Sequence, residues 1–422
     1  MTFQKLKIKD ICDFVGGAQP PKEVFISEER DGYIRLIQTR DYKTDIFKTY
    51  IPKNLARRFC NETDIMIGRY GPPIFQILRG LEGAYNVALM KAVPKSNVLN
   101  DYLYYIIKQK DIFEYVEKLS ARTGGQTGVD LDSLNEYPVL LPDKSYQQKV
   151  IGILKGIDDK IELNNRINAE LEAMAKTIYD YWFVQFDFPN KNGKPYKASS
   201  GKMVWSEELK REIPDGWRAG VLSEIANITM GQSPPGESYN EDGQGTIFFQ
   251  GCTDFGSRFP SIRQFTTQPG RMANQGDILL SVRAPVGTMN IARVDCCIGR
   301  GLAALNSKDN CIAYLHGVMN NLHQIFKRRN TDGTTFGAIT KDDLFSLKVV
   351  RAPREILEKF NDITKPMFDK QNALAEENQK LTELRDWLLP MLMNGQIKIK
   401  DAERELAMAA EPSPSYHNTK LR

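Results

Sequence analysis

The residues best suited to chemistry with a polyanion fall in two loops of similar make-up. The first holds Arg122, Thr123, Gly124, Gly125, Gln126, Thr127 and Gly128; the second runs from Lys327, Arg328 and Arg329 to Thr334, Thr335, Phe336 and Gly337. Arg and Lys neutralise phosphate, Thr hydroxyls and backbone N–H groups hold its oxygens, and Gly lets the backbone approach closely. The Gln126 amide suits an adenine edge. A second pair of segments is Gly68-Arg69-Tyr70-Gly71-Pro72-Pro73 and Ser281-Val282-Arg283-Ala284-Pro285-Val286. These set Arg69, with Tyr70 next to it, and Arg283 beside rigid turns, and an Arg fork suits guanine or phosphate. Any one of these segments alone reads as ordinary solvated surface. Recurrence at matching places in two halves of the chain favours binding. Lys22, Arg40, Lys43, Arg258, Arg263 and Arg271 are weaker candidates, because scattered cations usually just solubilise a surface.

Catalytic patterns are not found. No GxxxxGK[ST] phosphate loop occurs, and Gly299-Arg300-Gly301 is too short for a dinucleotide fingerprint. The Asn/Asp-Pro-Pro-aromatic tetrapeptide of adenine methyltransferases has no counterpart; Gly71-Pro72-Pro73-Ile74 and Ser233-Pro234-Pro235-Gly236 lack its polar head and its ring. Glu208-Leu209-Lys210 mimics part of a nuclease site but stands without an acidic strand beside it. His316 and His323 share a helix face with no third ligand, which reads as packing or surface. None of the six cysteines forms a C-x-x-C pair, so they read as reduced, buried thiols.

The elements that must position the loops come in duplicate. DICDFVGGAQPP from Asp10 lies over EIANITMGQSPP from Glu224, an offset of 214. IRLIQTRDY from Ile34 lies over IFFQGCTDF from Ile247, and DIMIGRYGPP from Asp64 over DILLSVRAPV from Asp277, both at an offset of 213. Segments in nearly constant register indicate an internal repeat. Each half ends in a long amphipathic stretch. The first carries Val150, Ile153, Leu154, Ile157, Ile161, Ile167, Leu171, Met174 and Ile178; the second carries Ile356, Phe360, Ile363, Met367, Leu374, Leu381, Leu384 and Leu388. Steps of three, four and seven predict helices, the second kinked or broken at Pro366. The expected organisation is a globule over 1–145, a helix over 146–185, a loop-like linker over 186–215, a globule over 216–353, a helix over 354–393 and a flexible tail over 394–422. Within that tail, disorder is expected from Asp401 onward.

A net charge of +4 is only mildly basic, so any phosphate-binding surface must come from local clustering. Charged residues make up 26% and hydrophobic residues 41%, the balance of a soluble globular protein. The first residues, MTFQKLKIKD, form no apolar signal core, and no run is apolar enough to span a membrane. A cytoplasmic location and no membrane partner are the expectation.

Several stretches carry a family resemblance. They are GIDDKIELNNRIN from Gly156 with LEAMA from Leu171, WFVQFDFP from Trp182, IPDGW from Ile213, and LTELRDWLLP from Leu381 with LMNG from Leu392. With these the chain resembles the specificity subunit of type I DNA restriction–modification enzymes over about residues 1–395. The resemblance implies an α+β fold of two similar target recognition domains. Each is followed by a long helix, the two helices pairing as an antiparallel coiled coil that spaces the domains. It implies a non-catalytic subunit that reads one half of a bipartite, asymmetric double-stranded DNA target with each domain. It also implies docking of two modification subunits, which bind S-adenosylmethionine and methylate adenine N6. Restriction subunits that use ATP and Mg2+ would join them. No cofactor is expected on this chain itself. Under this reading Arg69, Tyr70, Arg122, Thr123, Gly124, Gln126, Thr127, Arg283, Arg328, Arg329, Thr334 and Thr335 face DNA. Tyr179, Trp182 and Trp387, taken as outer residues of the helices, meet partner subunits. A non-enzymatic scaffold that joins two proteins without binding DNA is the alternative. An enzyme fusing a methyltransferase to recognition domains is opposed by the missing motifs.

Overall fold

A computed structural model describes residues 3–71, 73–120, 128–331 and 338–410. The chain divides into two compact units, Met1–Ile161 with Gln379–Arg422, and Glu162–Asn378. Each long helix contributes one segment to each unit.

The first unit begins with Gln4–Lys7, which pairs antiparallel with Pro138–Leu141 just ahead of the first long helix. Its main sheet orders Cys12–Gly16, Leu89–Pro94, Ile65–Gly68 and Ile77–Leu78, all antiparallel. Ile65, Met66 and Ile67 are fully buried on both faces, which explains their unbroken apolar run. A second sheet orders Tyr50–Pro52, Tyr33–Ile37, Gly83–Tyr85 and Phe59–Cys60, with Tyr33–Ile37 parallel to Gly83–Tyr85. The core joins Ile8, Ile67 and Met90 to Tyr102, Leu103 and Ile106 of helix Asn100–Ile107.

The second unit repeats this plan. Ala226–Met230, Leu302–Ser307, Ile278–Ser281 and Met289–Ile291 form the antiparallel sheet in that order. In the second sheet Thr246–Phe249 runs parallel to Cys296–Ile298. A Cβ on Gly17 would lie 1.9 Å from the Asn86 carbonyl oxygen, and one on Gly231 2.2 Å from that of Gly299, so the same close approach requires the same glycine in both halves.

The strands also correct one alignment. Leu36 faces Ala84 where Phe248 faces Cys297, whereas the edge pairs Phe59 with Ala84 and Met272 with Cys297 hold the offset of 213. Leu36 therefore matches Phe248 rather than Phe249. Because strand side chains alternate faces, a one-residue slip exchanges the two faces.

The long helices are Lys144–Tyr179 and Arg354–Met393. In the first unit Val150, Ile153, Leu154 and Ile157 pack with Leu388 and Leu392, and the Tyr146 hydroxyl donates to the Leu392 carbonyl at 3.1 Å. Asp158 accepts from Arg385 at 3.0 Å and from the Tyr105 hydroxyl at 2.8 Å. In the second unit the Asn164 amide donates to Glu377 and to Asn378, each at 2.9 Å, and Gln371 donates to the Asn168 carbonyl at 3.2 Å. In both units, numbers that rise on one helix meet numbers that fall on the other, which makes the pairing antiparallel. The seam is not the continuous apolar stripe expected. Met174 and Ile363 are exposed, while Asn164, Thr364 and Gln371 are buried.

Three further expectations need correcting. The second long helix is unbroken through Pro366. A proline forfeits one backbone bond, and buried Phe360 and Phe368 hold the helix on either side. The segment 186–215 is not a loose loop: Met203–Ser206 and Arg211–Pro214 form a hairpin, and Phe186, Phe188 and Ile213 are buried. Phe188 stacks on Tyr196 at 4.7 Å and on Trp217 at 4.9 Å, and Phe186 meets Trp217 edge-on at 5.5 Å. The polar residues of this stretch hid an aromatic anchor. Lastly, Ile399–Ala410 is a helix with Ala402 fully buried, so the tail is ordered that far; residues 411–422 lie outside the described residues.

Phe186 sits at φ 67°, held there by packing against Trp217 and under the Arg211 guanidinium. Replacing Phe186 with Ala is expected to destabilise the second unit by about 3–5 kcal/mol. A chemical-denaturation midpoint unchanged from the parent protein would return 186–215 to the status of a passive linker.

Candidate nucleic-acid interface

The two kinds of recurrent segment, distant in sequence, are joined in each unit by the same backbone contact. Tyr70 forms an isolated antiparallel bridge with Gly128, and Arg283 forms one with Ala338. The Val129 N–H donates to the Arg69 carbonyl at 3.0 Å, and the Ile339 N–H to the Val282 carbonyl at 2.8 Å. On the other side, the Arg69 N–H donates to the Ala88 carbonyl and the Val282 N–H to that of Gly301, both at 2.9 Å. Each turn thus leaves the end of a fully buried strand, Ile65–Gly68 or Ile278–Ser281, and is clamped between two backbone partners. The rigid strand fixes where the turn projects.

Gly128 and Ala338 directly follow the two Gly/Thr loops. Arg122, Thr123, Gly124, Gln126, Thr127, Thr334 and Thr335 lie outside the described residues. Arg328 and Arg329 lie near the end of helix Ile312–Thr331, their side chains outside the description.

The bridge agrees with the sequence offset of 213, under which Arg69 and Arg283 are not counterparts. Arg69 matches Val282, which is buried, and Tyr70 matches Arg283; Tyr70 and Arg283 are both exposed. The Arg69 guanidinium lies 5.5 Å from the centre of the Tyr70 ring. An Arg does stand beside the turn in each half, but at positions one residue apart in the frame.

Several weaker candidates are structural. Arg258 donates to the Asn372 side chain at 2.5 Å and sits 4.4 Å from the Phe368 ring centre. Burial lowers its pKa to about 10. Arg263 pairs with Asp254 at 3.0 Å and with Glu241 at 3.3 Å. Arg40 stays exposed with its guanidinium 5.8 Å from the ring centre of Phe47, itself an exposed aromatic that sequence pattern did not single out. Lys22, Lys43 and Arg271 remain exposed.

Of the residues assigned to partner contacts, Tyr179 and Trp182 are corrected. Both are buried, in a cluster with Phe183, Tyr314 and Phe360 in which the Phe183 ring lies 4.7 Å from Tyr314 and 4.9 Å from Phe360. A π-helical turn over Asp180–Val184 changes the helical phase at Trp182 and Phe183, which a regular period does not foresee, while Tyr179 closes the regular helix ahead of it and packs against Phe360. Trp387 is 45% exposed and remains available.

The expectation of buried thiols holds for Cys12, Cys60, Cys296, Cys297 and Cys311, whereas Cys252 is half-buried. Burial pushes Cys12 and Cys296 up to about 12 and Cys60 and Cys311 up to about 11, so all four stay protonated at neutral pH. Among the described residues, no group of three His, Cys, Asp or Glu side chains is arranged to hold a metal ion. No helix among them is long and apolar enough to cross a membrane. The second unit contains a cleft of about 280 Å³ lined by Glu172, Tyr179, His316, Asn320, Phe368 and Gln371. There Asn320 and His316 share a 3.2 Å hydrogen bond, and the His316 ring packs edge-on to Phe368. His323 contacts the Gly287 carbonyl at 2.8 Å. Both histidines serve packing.

Residues 1–173 match the family described as the type I restriction modification DNA specificity domain. Two chains of Methanocaldococcus jannaschii are similar along nearly the whole length. A candidate MjaX type I restriction enzyme specificity subunit is 28% identical over 93% of this chain and 93% of its own, and the MjaIX specificity subunit is 24% identical over 94% and 93%. The S subunit of a type I restriction–modification system from M. genitalium shares the fold, with a TM-score of 0.57 and 17% identity over 93% of this chain and 96% of that one. The duplicated α+β modules with their two long helices share the fold of that S subunit. The chain is similar along nearly its whole length to type I restriction enzyme specificity subunits, and its first 173 residues match the DNA specificity domain family.

The packing of His316 has a pH consequence. Burial first, and then the Arg258 guanidinium, lower its pKa from 6.5 to about 4. Between those values the unfolded chain holds a proton that the folded chain does not. Stability is therefore expected to fall as pH drops from 6.5 to 4, with a slope approaching about 1.4 kcal/mol per unit at most. Unfolding curves across that window should show the slope reduced in His316→Gln. An equal slope in the variant would place the titrating group elsewhere.

Proposed function

We propose that this chain is the specificity subunit of a type I restriction–modification system and reads a bipartite, asymmetric double-stranded DNA target, one half with each globule. The observation that carries the reading is the bridge built twice, which joins an exposed turn to Gly128 in one unit and to Ala338 in the other, each next in sequence to the Gly/Thr stretch. Positive charge and free backbone N–H groups on such loops bind phosphates and fix register, while side chains on the turn are placed to reach base edges. Arg122, Thr123, Gly124, Gln126, Thr127, Arg328, Arg329, Thr334 and Thr335 are the loop candidates; Arg69, Tyr70 and Arg283 are those of the turns. The long helices, which run through both units, set the length of the unread gap. In the cell the chain works in the cytoplasm, where it positions two adenine-N6 modification subunits on the target and, through the larger assembly, restriction subunits. S-adenosylmethionine belongs to the modification partner, ATP and Mg2+ to the restriction partner. Trp387 is the exposed aromatic on the helices that suits a partner contact.

Replacing Arg122 with Ala, or Arg328 and Arg329 together, is expected to weaken DNA binding across all sequences. Removing one cation that neutralises a phosphate should lower the log–log salt slope by about 0.9. Affinity and slope both unchanged in the assembled complex would favour a scaffold that binds no DNA. The purified chain alone should transfer no methyl group from labelled S-adenosylmethionine to duplex DNA. Transfer above a no-protein control would refute the non-catalytic assignment.

A further inference from the structure

The bridged position is the same node of the fold in both units, yet it is built from different side chains. In the first unit the node is Tyr70 over Gly128, and a Cβ on Gly128 would come within 3.2 Å of the Tyr70 ring. In the second it is Arg283 opposite Ala338, where a slim, unbranched side chain faces a methyl group. A bulky ring meets the residue with no side chain, and a flexible chain meets the one with a small side chain. Each pair fits itself, and exchanging one member alone would crowd or loosen the bridge. Around the node the backbone bonds are the same to within a few tenths of an ångström. What differs is the chemistry presented outward: an aromatic ring flanked by the Arg69 cation in one unit, a lone exposed guanidinium in the other. Among the described residues no ion pair or side-chain hydrogen bond engages the Arg283 guanidinium, so its five donors face outward uncommitted.

We propose that this node is a specificity-determining position, at which the two units read different bases because one offers Tyr70 and the other Arg283. Arg283 selects guanine, whose O6 and N7 accept the two parallel donors of a guanidinium in the major groove. Tyr70 has no such fork and selects by apolar contact, which suits a thymine methyl. The inference rests on the proposed DNA-reading function and adds to it which residue pair makes the two half-sites unlike.

The test is selection from a randomised duplex pool by the full-length chain assembled with its modification subunits. The parent should yield two half-sites, with guanine at one position of the half-site that Arg283 reads. Arg283→Ala should lower the preference for that guanine roughly 5- to 150-fold and leave the other half-site unchanged. Arg283→Gln keeps a polar side chain at the node but suits the N6 and N7 edge of adenine, so it should move the preference at that position from guanine to adenine. Tyr70→Arg should introduce a guanine preference into the other half-site. The paired change Arg283→Tyr with Ala338→Gly should transplant the first node without crowding. If Arg283→Gln and Tyr70→Arg bind more weakly or equally but keep every parental base preference, the node is not specificity-determining, although the chain still reads DNA. If Arg283→Ala, Tyr70→Ala and the loop variants all leave both affinity and consensus at parental values, the DNA-reading function itself fails.

Discussion

The first unit cannot complete its core from its own stretch of chain. Val150, Ile153, Leu154 and Ile157 expose one apolar helix face, and the residues that cover it, Leu388 and Leu392, come from near the other end of the sequence. Leaving four such side chains uncovered would cost several kcal/mol, at about 1.5–3 kcal/mol for each one buried. Closing the first unit therefore requires the second long helix to be formed and docked. The polar contacts then fix register along the pair: Asp158 with Arg385 and Tyr105 in one unit, Asn164 with Glu377 and Asn378 in the other. Apolar packing tolerates sliding by a turn, whereas a half-satisfied buried amide or carboxylate does not.

Duplication solves the rest of the problem economically. The same antiparallel sheet, the same parallel strand pair and the same glycine against a carbonyl recur in both units. Backbone hydrogen bonds set this framework and are indifferent to side-chain identity. A frame held by the main chain leaves outward-facing side chains at its nodes free to differ, which a pair of modules reading an asymmetric target needs. Tyr70 and Arg283 show such divergence on a common frame.

Charge plays a smaller part in holding the fold than its abundance suggests. Several ion pairs, such as Arg354 with Glu358 and Lys359 with Glu355, lie on exposed helix faces at i,i+4 spacing, where each contributes about a few tenths of a kcal/mol. The half-buried cation Arg258 is different. It lies against Phe368 and bonds Asn372, both on the second long helix, so a loop residue of the second unit is anchored to the helix within that unit. Its desolvation is offset by the cation–π contact and the amide oxygen.

By itself the sequence determined the periodic and the repeated features. Steps of three, four and seven marked both long helices, the offsets of 213 and 214 marked the duplication, and the apolar runs at Ile65 and Ile278 marked the central strands. These are local or self-similar signals, so they need no knowledge of what touches what. The family resemblance rested partly on the long helices and partly on WFVQFDFP and IPDGW, which border the stretch whose fold the sequence did not show. Tertiary structure decided everything that depends on a partner distant in the chain. It buried Tyr179 and Trp182 against Phe360 of the other helix, Trp182 from within a π-turn that shifts the helical phase. It ordered 186–215 around Trp217, and it kept one helix running through Pro366. It withdrew Arg258 from the surface. It also brought Tyr70 to Gly128 and Arg283 to Ala338, through backbone bonds that join residues more than fifty positions apart.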